Sequence, residues 1–507
     1  MKNSFTQSMS WLHTWAGLVF GWLLFAIFVT GTLAVFDKEL SHWMQPEIAA
    51  SDVSQADAAE RAIAYLQAHA PKADNWGISL PTERSPGLRV STGDRRHGVG
   101  VQLDPQTGEP INVRDSVGGN FFFRFHFTLD LPRNWGIFVV GALALVMLAA
   151  LVTGIVIHKK LFKEFFTFRP NKGQRSWLDF HNASAVLLLP FHLMITYTGL
   201  VIFMLMYIPA GIDALFEGDP RAYFQAQGNG RQEALQRVAR QPAELVEIAP
   251  LLAQAQARLG PIGGLNIRHP NTTGARIEIR PELGNRIALT KGQAMVFDGV
   301  SGQLLSDVPE LRPAPLTQRV MIGLHFAQFG GYPMRWLYFV CGVVSCAMIA
   351  SGLVLFCIKR GRKYTDATAS ARRWYRLAEV CNVGFISGLL LACAGLLWAS
   401  RLLPVELAQR GAWEVRVFFA GWLLALLHAG LRPAQRAWVE QLSAAALLCM
   451  GLGALGASTG TADHMRLGVE VTGVVLGVGL ALAALRVARA TPAPVKAKAG
   501  RTVGAEG

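Results

Sequence analysis

The chain has 507 residues, of which 51% are hydrophobic and only 16% are charged. This composition excludes a wholly soluble globular protein and is typical of a membrane protein with soluble portions. The net charge of +14 is not a nucleic-acid signal, because the basic residues lie mainly in short loops between apolar runs.

Eight apolar runs are long enough to cross a membrane as helices. The first run is too long for the core of a signal peptide, so we predict that it is a membrane anchor. The runs lie at 11–36, 135–157, 178–207, 333–358, 378–400, 413–430, 438–458 and 467–487.

The basic loops indicate the orientation of these spans. Positive charge crowds 159–175 and 359–376, so the positive-inside rule places both loops and both termini in the cytoplasm. The predicted organisation is helix 1 in 1–36, an outer domain in 37–134, helices 2 and 3 with a basic loop in 135–207, a second outer domain in 208–332, helix 4 in 333–358, a basic cytoplasmic loop in 359–377, four further helices in 378–488 and a disordered cytoplasmic tail in 489–507.

An internal repeat organises the first 360 residues. His13 lies 30 − 13 = 17 residues before a Thr-Gly pair in the first span, and His181 lies 198 − 181 = 17 residues before a Thr-Gly pair in the third. His126 precedes the second span in FRFHFTLDLPRNWGIF, as His325 precedes the fourth in GLHFAQFGGYPMRWLYF. Together these matches predict a duplicated unit of helix, outer domain and helix.

The two outer segments also resemble each other, and each predicts a small α+β domain. In the first, Ser54 caps a predicted helix, and Gly108 lies where a tight turn needs a positive φ; Gly302 has the same position in the second. The predicted helices are 55–70 and 242–259, and the predicted strands are 76–80, 88–92, 99–103, 110–113, 264–268, 275–280, 286–290, 294–298 and 303–307.

Two histidines on the third apolar run point to a cofactor. His181 and His192 are 192 − 181 = 11 residues apart, close to three helical turns, so both rings are predicted to leave one face about 16 Å apart. Ionisable groups inside a membrane are costly and mark function. The spacing suits two b-type haems, one near each membrane surface, whereas a lone histidine would more simply pack helices together.

The turn phrases VQLDPQTGEPI and MVFDGVSGQLL resemble the closing hairpin of PepSY domains. The spans with a histidine and a Thr-Gly pair resemble the PepSY-associated transmembrane family, which has four spans and two PepSY-like periplasmic domains. The stretch IHKKLFKEFFTFRPNKGQRSWLDFHNASAVLLLPFHLMITYTGL is similar to the branch that contains inner-membrane ferric-siderophore reductases. The resemblance covers about 1–365 and is silent on the four spans that follow.

Six histidines are candidates for a direct role at haem, three near each membrane surface. Two facing imidazoles hold one haem iron, so each surface has one candidate more than it needs. The repeat favours His13 with His181 near the cytoplasm. It favours His126 with His325 near the outside, whereas the same-face argument favours His192 there. The cytoplasmic candidates are His13, His158 and His181, and the outer candidates are His126, His192 and His325.

Two nearby residues bear on the outer site. Pro132 is predicted to end the helix before the second span, which leaves His126 at the outer surface. Arg124 is predicted either to bind a haem propionate or to be an interfacial arginine that extends toward water. The predicted ligands of haem iron are His181, His192, His13 and His325.

The resemblance implies a bacterial inner-membrane protein that passes electrons to the periplasm and reduces Fe(III) in a siderophore. The chain has no CxxCH motif, so we expect one or two non-covalent, bis-histidine b-type haems. It has no credible flavin or nicotinamide fingerprint, so the donor is a cytoplasmic flavoprotein reductase or membrane quinol. The alternatives are a PepSY-type periplasmic binding module without redox activity, and a haem or metal transporter.

Overall fold

The structure, a computed structural model, consists of apolar helices with one antiparallel sheet beside them. Most of the predicted basic loop at 159–175 and the predicted tail lie outside the described residues. The structure describes residues 4–93, 100–158, 169–170, 172–219, 222, 241–284, 286–308, 310–365, 368–460 and 463–490.

Helices dominate the described residues, and the strands lie between the first and fourth apolar runs. The helices are α1 Phe5–Ala34, α2 Asp37–Met44, α3 Gln55–His69, α4 Asn120–Thr128, α5 Arg133–Ile157, α6 Gln174–Leu187, α7 Leu189–Ile202, α8 Met204–Tyr207, α9 Ala210–Phe216, α10 Ile248–Leu259, α11 Pro313–Phe326, α12 Gly331–Thr365, α13 Ala369–Leu402, α14 Arg410–Leu431, α15 Ala434–Met450, α16 Leu452–Thr459 and α17 His464–Arg489. The strands are β1 Asn75–Ser79, β2 Leu88–Thr92, β3 Gly100–Leu103, β4 Ile262–Arg268, β5 Arg276–Pro281, β6 Met295–Asp298 and β7 Leu304–Ser306.

The apolar helices make the chain a polytopic membrane protein. Within the described residues, seven are long and apolar enough to cross a membrane, and the number rises to eight if the bent pair α6–α7 is one span. All eight predicted runs are therefore helical. The seven are Phe5–Ala34, Arg133–Ile157, Gly331–Gly361, Ala369–Leu402, Arg410–Leu431, Ala434–Thr459 and His464–Arg489.

The third run is not one straight helix, so the prediction that His181 and His192 share a helical face is wrong. The run breaks at Leu188, and α6 and α7 meet at an angle of 64°. Pro190 lies in the first turn of α7. A proline has no backbone N–H to donate, and its ring collides with the preceding turn, so a helix interrupted here restarts at the proline.

The first four spans pack as two related halves. In the first half, α1 packs against α5 and α4; in the second, α6 packs against α12, and α7 packs against α11. The short helices α4 and α11 end in the same way, because Leu129 and Ala327 both adopt a left-handed conformation with φ of 52° and 51°. The repeat in the sequence is thus a repeat of helix packing.

The two outer segments share one sheet instead of forming two separate domains. The strand order is β3-β2-β1-β4-β5-β6-β7, and every neighbouring pair is antiparallel. Strand β1 of the first segment pairs with β4 of the second, with Trp76 opposite Ile267. Helices α3 and α10 cover the same face and join one apolar core with both halves of the sheet. The two segments, predicted as two small α+β domains, are therefore joined through one sheet and one core.

Three elements predicted in the outer segments differ in the structure, each for a local reason. The stretch 110–113 makes only an isolated bridge, because Pro110 has no N–H for a ladder. Residues 286–290 lie along α11, where Leu289 donates its N–H to the carbonyl of Arg319. The helix predicted at 242–259 begins at Ile248, because Val246 hydrogen-bonds to the carbonyl of Gly299 beside the sheet. Gly108 and Gly302 have the predicted positive φ.

The four C-terminal helices are tied to the first outer segment by buried polar contacts. Arg410 and Glu414 on α14 form an ion pair with both side chains fully buried. Glu414 also accepts hydrogen bonds from Ser116 and from the backbone N–H of Val117, both at 2.9 Å. Beyond this pair, Arg466 on α17 donates to the carbonyl of Pro46. These contacts fix the segments that flank α2 and α4.

Replacing Glu414 with alanine should destabilise the protein by about 3–5 kcal/mol, because it leaves the guanidinium of Arg410 buried without its counter-ion. The measurement is the midpoint of thermal unfolding of the purified protein. Glu440→Ala is the matched control, because Glu440 pairs with Arg432 in a setting where both side chains are more than a third exposed. Equal shifts for the two variants would contradict this account.

Candidate functional site

His13 and His181 face each other across the first and third spans. Their ring centroids are 6.4 Å apart, and the ring planes meet at 70°. His13 Nδ1 lies 3.0 Å from the carbonyl oxygen of Ala150 on α5. His181 Nδ1 lies 2.9 Å from the carbonyl oxygen of Met348 on α12. A carbonyl oxygen only accepts, so both Nδ1 atoms carry the proton and donate it.

His126 and His325 form a second pair, at the end of the bundle next to the sheet. Their ring centroids are 6.0 Å apart. His126 Nδ1 donates to the carbonyl of Ile27 on α1 at 2.8 Å, and His325 Nδ1 donates to that of Ile195 on α7 at 3.0 Å. The helix break before Pro132 is confirmed, and His126 packs against Gly31 of α1.

The four histidines are held by one repeated local pattern. In each case the accepting carbonyl belongs to residue i of a neighbouring helix, a threonine or serine follows at i+3, and a glycine follows at i+4. The hydroxyls turn back onto carbonyls of their own helices, and the glycines leave room for the rings. The four sets are Ile27, Thr30 and Gly31 for His126; Ala150, Thr153 and Gly154 for His13; Ile195, Thr198 and Gly199 for His325; and Met348, Ser351 and Gly352 for His181.

The glycines are required by close contact with the rings. A Cβ on Gly31 would lie 2.6 Å from His126 Nδ1, and one on Gly352 would lie 2.9 Å from His181 Cε1. The repeated Thr-Gly pairs were visible in the sequence, but their partners were not, because each glycine contacts a histidine from another helix.

The separation of the ring centroids in both pairs is close to that of two imidazoles bound to one metal ion. With metal–imidazole bonds of about 2 Å and each centroid about 1 Å behind its nitrogen, ring centroids lie about 6 Å apart. Each Nδ1 is fixed by the backbone, which leaves Nε2 as the ligating atom, and among the described residues Nε2 has no hydrogen-bond partner. The described residues contain no group of three or more His, Cys, Asp or Glu side chains that could hold a bare ion. Two facing imidazoles therefore fit haem iron, which takes its other ligands from the porphyrin.

The other predicted site residues lie outside these pairs. His192 is fully buried, and its Nε2 hydrogen-bonds to Ser345 Oγ at 2.9 Å. His158 is the residue after α5 and faces no other histidine among the described residues. Arg124 is about half exposed and pairs with Asp130 at 3.3 Å, away from the cavity described below.

The two pairs are separated along the bundle. His13 and the carbonyl that holds His126 lie on the same helix, 27 − 13 = 14 residues apart, which corresponds to about 21 Å. The hydrocarbon core of a bilayer is about 30 Å thick, so this separation is about two thirds of that thickness.

A large cavity connects the second pair with the sheet. Its volume is about 1570 Å³, above the roughly 300–1,000 Å³ of typical small-molecule pockets. His126 and His325 line it at the bundle, and Arg268, Arg276 and Arg280 line it at the sheet. A ligand that enters between sheet and bundle can thus approach the second histidine pair.

The architecture defines a polytopic membrane protein whose first four spans are two copies of a two-span unit, with paired histidines between the copies. The family model described as the PepSY-associated TM region matches residues 10–360, and the chain belongs to this family. The match includes all four paired histidines and ends before the four C-terminal helices. A comparison with curated proteins finds no match.

Gly31→Ala should lower the midpoint of thermal unfolding, because its Cβ would displace the ring of His126; overpacking of this kind costs about 1–3 kcal/mol. Gly17→Ala is the matched control in the same helix, since a Cβ there meets nothing within 4 Å. It should leave the midpoint unchanged or raise it, because alanine favours a helix over glycine. A Gly31→Ala variant as stable as Gly17→Ala would refute the close contact.

Proposed function

We propose that the protein is a haem-dependent ferric-siderophore reductase of the bacterial inner membrane that passes electrons to the periplasmic side. The observation that supports this most is the presence of two histidine pairs with the spacing of bis-imidazole iron sites. The two pairs are separated along the bundle, and the second lines a cavity that reaches the sheet.

The four histidines would hold two non-covalent b-type haems. His13 and His181 would bind one, and His126 and His325 the other. Haem supplies a one-electron carrier that alternates between Fe(III) and Fe(II). The protein orients the ligands, because each Nδ1–H is bound to a backbone carbonyl, which fixes the tautomer and makes Nε2 a better donor to a metal.

Apolar side chains of the first four spans form a buried cluster in the bundle. The buried cluster includes Phe25 and Ile27 of α1, Met147 of α5 and Leu353 of α12. Apolar surroundings of this kind would keep the local dielectric constant low between the two proposed haems.

The proposed direction follows from the orientation of the spans. The basic loops predict that the end with His13 and His181 faces the cytoplasm. A cytoplasmic flavoprotein reductase or membrane quinol would supply electrons there, and a ferric siderophore would accept them in the cavity beside His126 and His325. Both termini would then be cytoplasmic and the sheet periplasmic.

Each pair should hold its own haem. His181→Ala and His325→Ala should each lose about half of the haem of the wild type, because two imidazoles are needed for each iron. The measurement is haem per protein by pyridine haemochrome assay, together with the Soret band. His428→Ala, which removes a histidine of the C-terminal helices, should keep the full haem content and serves as the control.

A variant of His192 distinguishes this pairing from the alternative in which His192 is a ligand at the outer site. His192→Ala should keep both haems, because its Nε2 is bound to Ser345 and does not face a second histidine. Loss of one haem in His192→Ala with full retention in His325→Ala would overturn the assignment of the second pair. Purified wild-type protein without haem, after expression with ample haem precursor, would overturn the proposal itself.

Electrons should leave on the side of the sheet. In vesicles of defined orientation, chemically pre-reduced protein should convert ferric siderophore to Fe(II) when the siderophore is on that side, and a membrane-impermeant Fe(II) chelator there should capture the product. His325→Ala should abolish this step, and His428→Ala should preserve it. Oxidation of the protein only by siderophore on the opposite side would contradict the direction.

A further inference from the structure

One wall of the cavity is a charged face of the sheet. Side chains alternate between the two faces of a strand, so the buried Ile277 and Ile279 of β5 enter the core under α3 and α10. Arg276, Glu278 and Arg280 point the other way and line the cavity, and Arg268 of β4 lies opposite Arg276. A sheet with one apolar and one charged face is therefore held over the second histidine pair.

Positive charge predominates around this cavity. Nine basic and four acidic residues line it, an excess of 9 − 4 = 5 positive charges. The basic residues are Lys38, Arg84, Arg133, Arg268, Arg276, Arg280, Lys291, Arg319 and Arg335. The acidic residues are Asp37, Glu278, Glu282 and Asp307.

Three of the acidic residues are already paired with arginines. Asp307 pairs with Arg258, which lies outside the lining, and the other two pair with arginines of the lining. Glu278 lies between Arg268 at 2.7 Å and Arg280 at 4.0 Å. Asp37 accepts from Arg84. Burial raises the pKa of the Glu282 carboxyl. Two of the basic residues are also paired with carboxylates outside the lining, Arg84 with Glu39 and Arg276 with Asp298. The nine basic residues still outnumber these carboxylates, so the charge around the cavity favours an anion.

Lys291 is a suitable position for testing whether the positive charge around the cavity attracts an anion. Its side chain is exposed, it lines the cavity, and it makes no ion pair within the part of the chain that the structure describes. Its backbone carbonyl accepts a hydrogen bond from Arg319, and a change of side chain leaves that carbonyl in place.

We propose that the charged face of the sheet binds an anionic ferric chelate, of the catecholate or carboxylate class, in preference to an uncharged one. The iron in this statement rests on the proposed function, whereas the preference for an anion rests on the lining residues alone. Haem propionates share the same anionic chemistry, so a test must separate a bound chelate from bound haem.

The test uses gallium(III) chelates, because gallium(III) mimics iron(III) in size and charge and is not reduced by the protein. Full-length protein is titrated calorimetrically with a trianionic gallium tricatecholate and with an uncharged gallium trihydroxamate. The trianionic chelate should bind at least about tenfold more tightly at low salt, and the difference should shrink as salt screens the charges. Equal affinities would overturn the proposal.

Lys291→Glu should weaken binding of the trianionic chelate by about tenfold and leave the uncharged chelate unaffected. Lys38→Glu, at the second exposed lysine of the lining, should act in the same direction. Lys72→Glu is the matched control, since Lys72 is exposed and does not line the cavity; it should bind both chelates as the wild type does.

Haem content, measured on the same preparations, separates the two anion sources. It should be unchanged in Lys291→Glu and Lys38→Glu; a loss of haem with undiminished chelate binding would assign the charges to propionates and overturn the proposal. The gallium titration needs no electron transfer. Anion preference without iron reduction would therefore overturn only the proposed function, and reduction without anion preference would overturn only this inference.

Discussion

The hydrogen bond between a histidine Nδ1 and a backbone carbonyl inside the bundle is the constraint on which the rest of the site depends. A polar ring inside an apolar bundle must find a partner, and most helical carbonyls are already used by their own helix. At all four positions a threonine or serine lies one turn beyond the accepting carbonyl, and a glycine after it lets the ring approach. The ring direction, the free Nε2 and the 6.0–6.4 Å separation of each pair follow from this contact.

The sequence predicted the pairs more reliably through symmetry than through helical geometry. Equal spacing of His13 and His181 from a Thr-Gly pair reflects equivalent positions in two copies of one unit, and duplicated units pack alike. The argument from His192 assumed an uninterrupted helix and neglected Pro190. His192 also has no counterpart in the first copy, where Leu24 occupies the equivalent position, 192 − 168 = 24. The absence of a counterpart in the first copy and the helix break at Pro190 thus both indicate that His192 does not belong to either pair.

The way the strands of the two segments join in one sheet could not be predicted from the sequence. The strands of each segment were largely predictable, because their apolar residues alternate. Pairing of β1 with β4 joins residues almost two hundred positions apart, and nothing in either strand specifies that partner. The same limit applies to the cavity: Arg276 and Arg280 read as ordinary exposed positions of an alternating strand. Only the position of the sheet over the bundle turns them into a lining of one face.

The C-terminal helices make the two copies unequal at the second pair. Phe121 and Phe125 of α4 pack on Phe418 of α14, with ring centroids 4.9 and 5.6 Å apart, so the helix that bears His126 is braced from behind. The equivalent helix α11, which bears His325, has only Pro315 and Gly323 buried among its 14 residues. The helix that bears His126 is therefore more tightly packed than the helix that bears His325. The extra helices, which lie beyond the duplicated unit, thus contact one of the two helices that carry the second pair, and this contact makes the two copies of the repeat unequal.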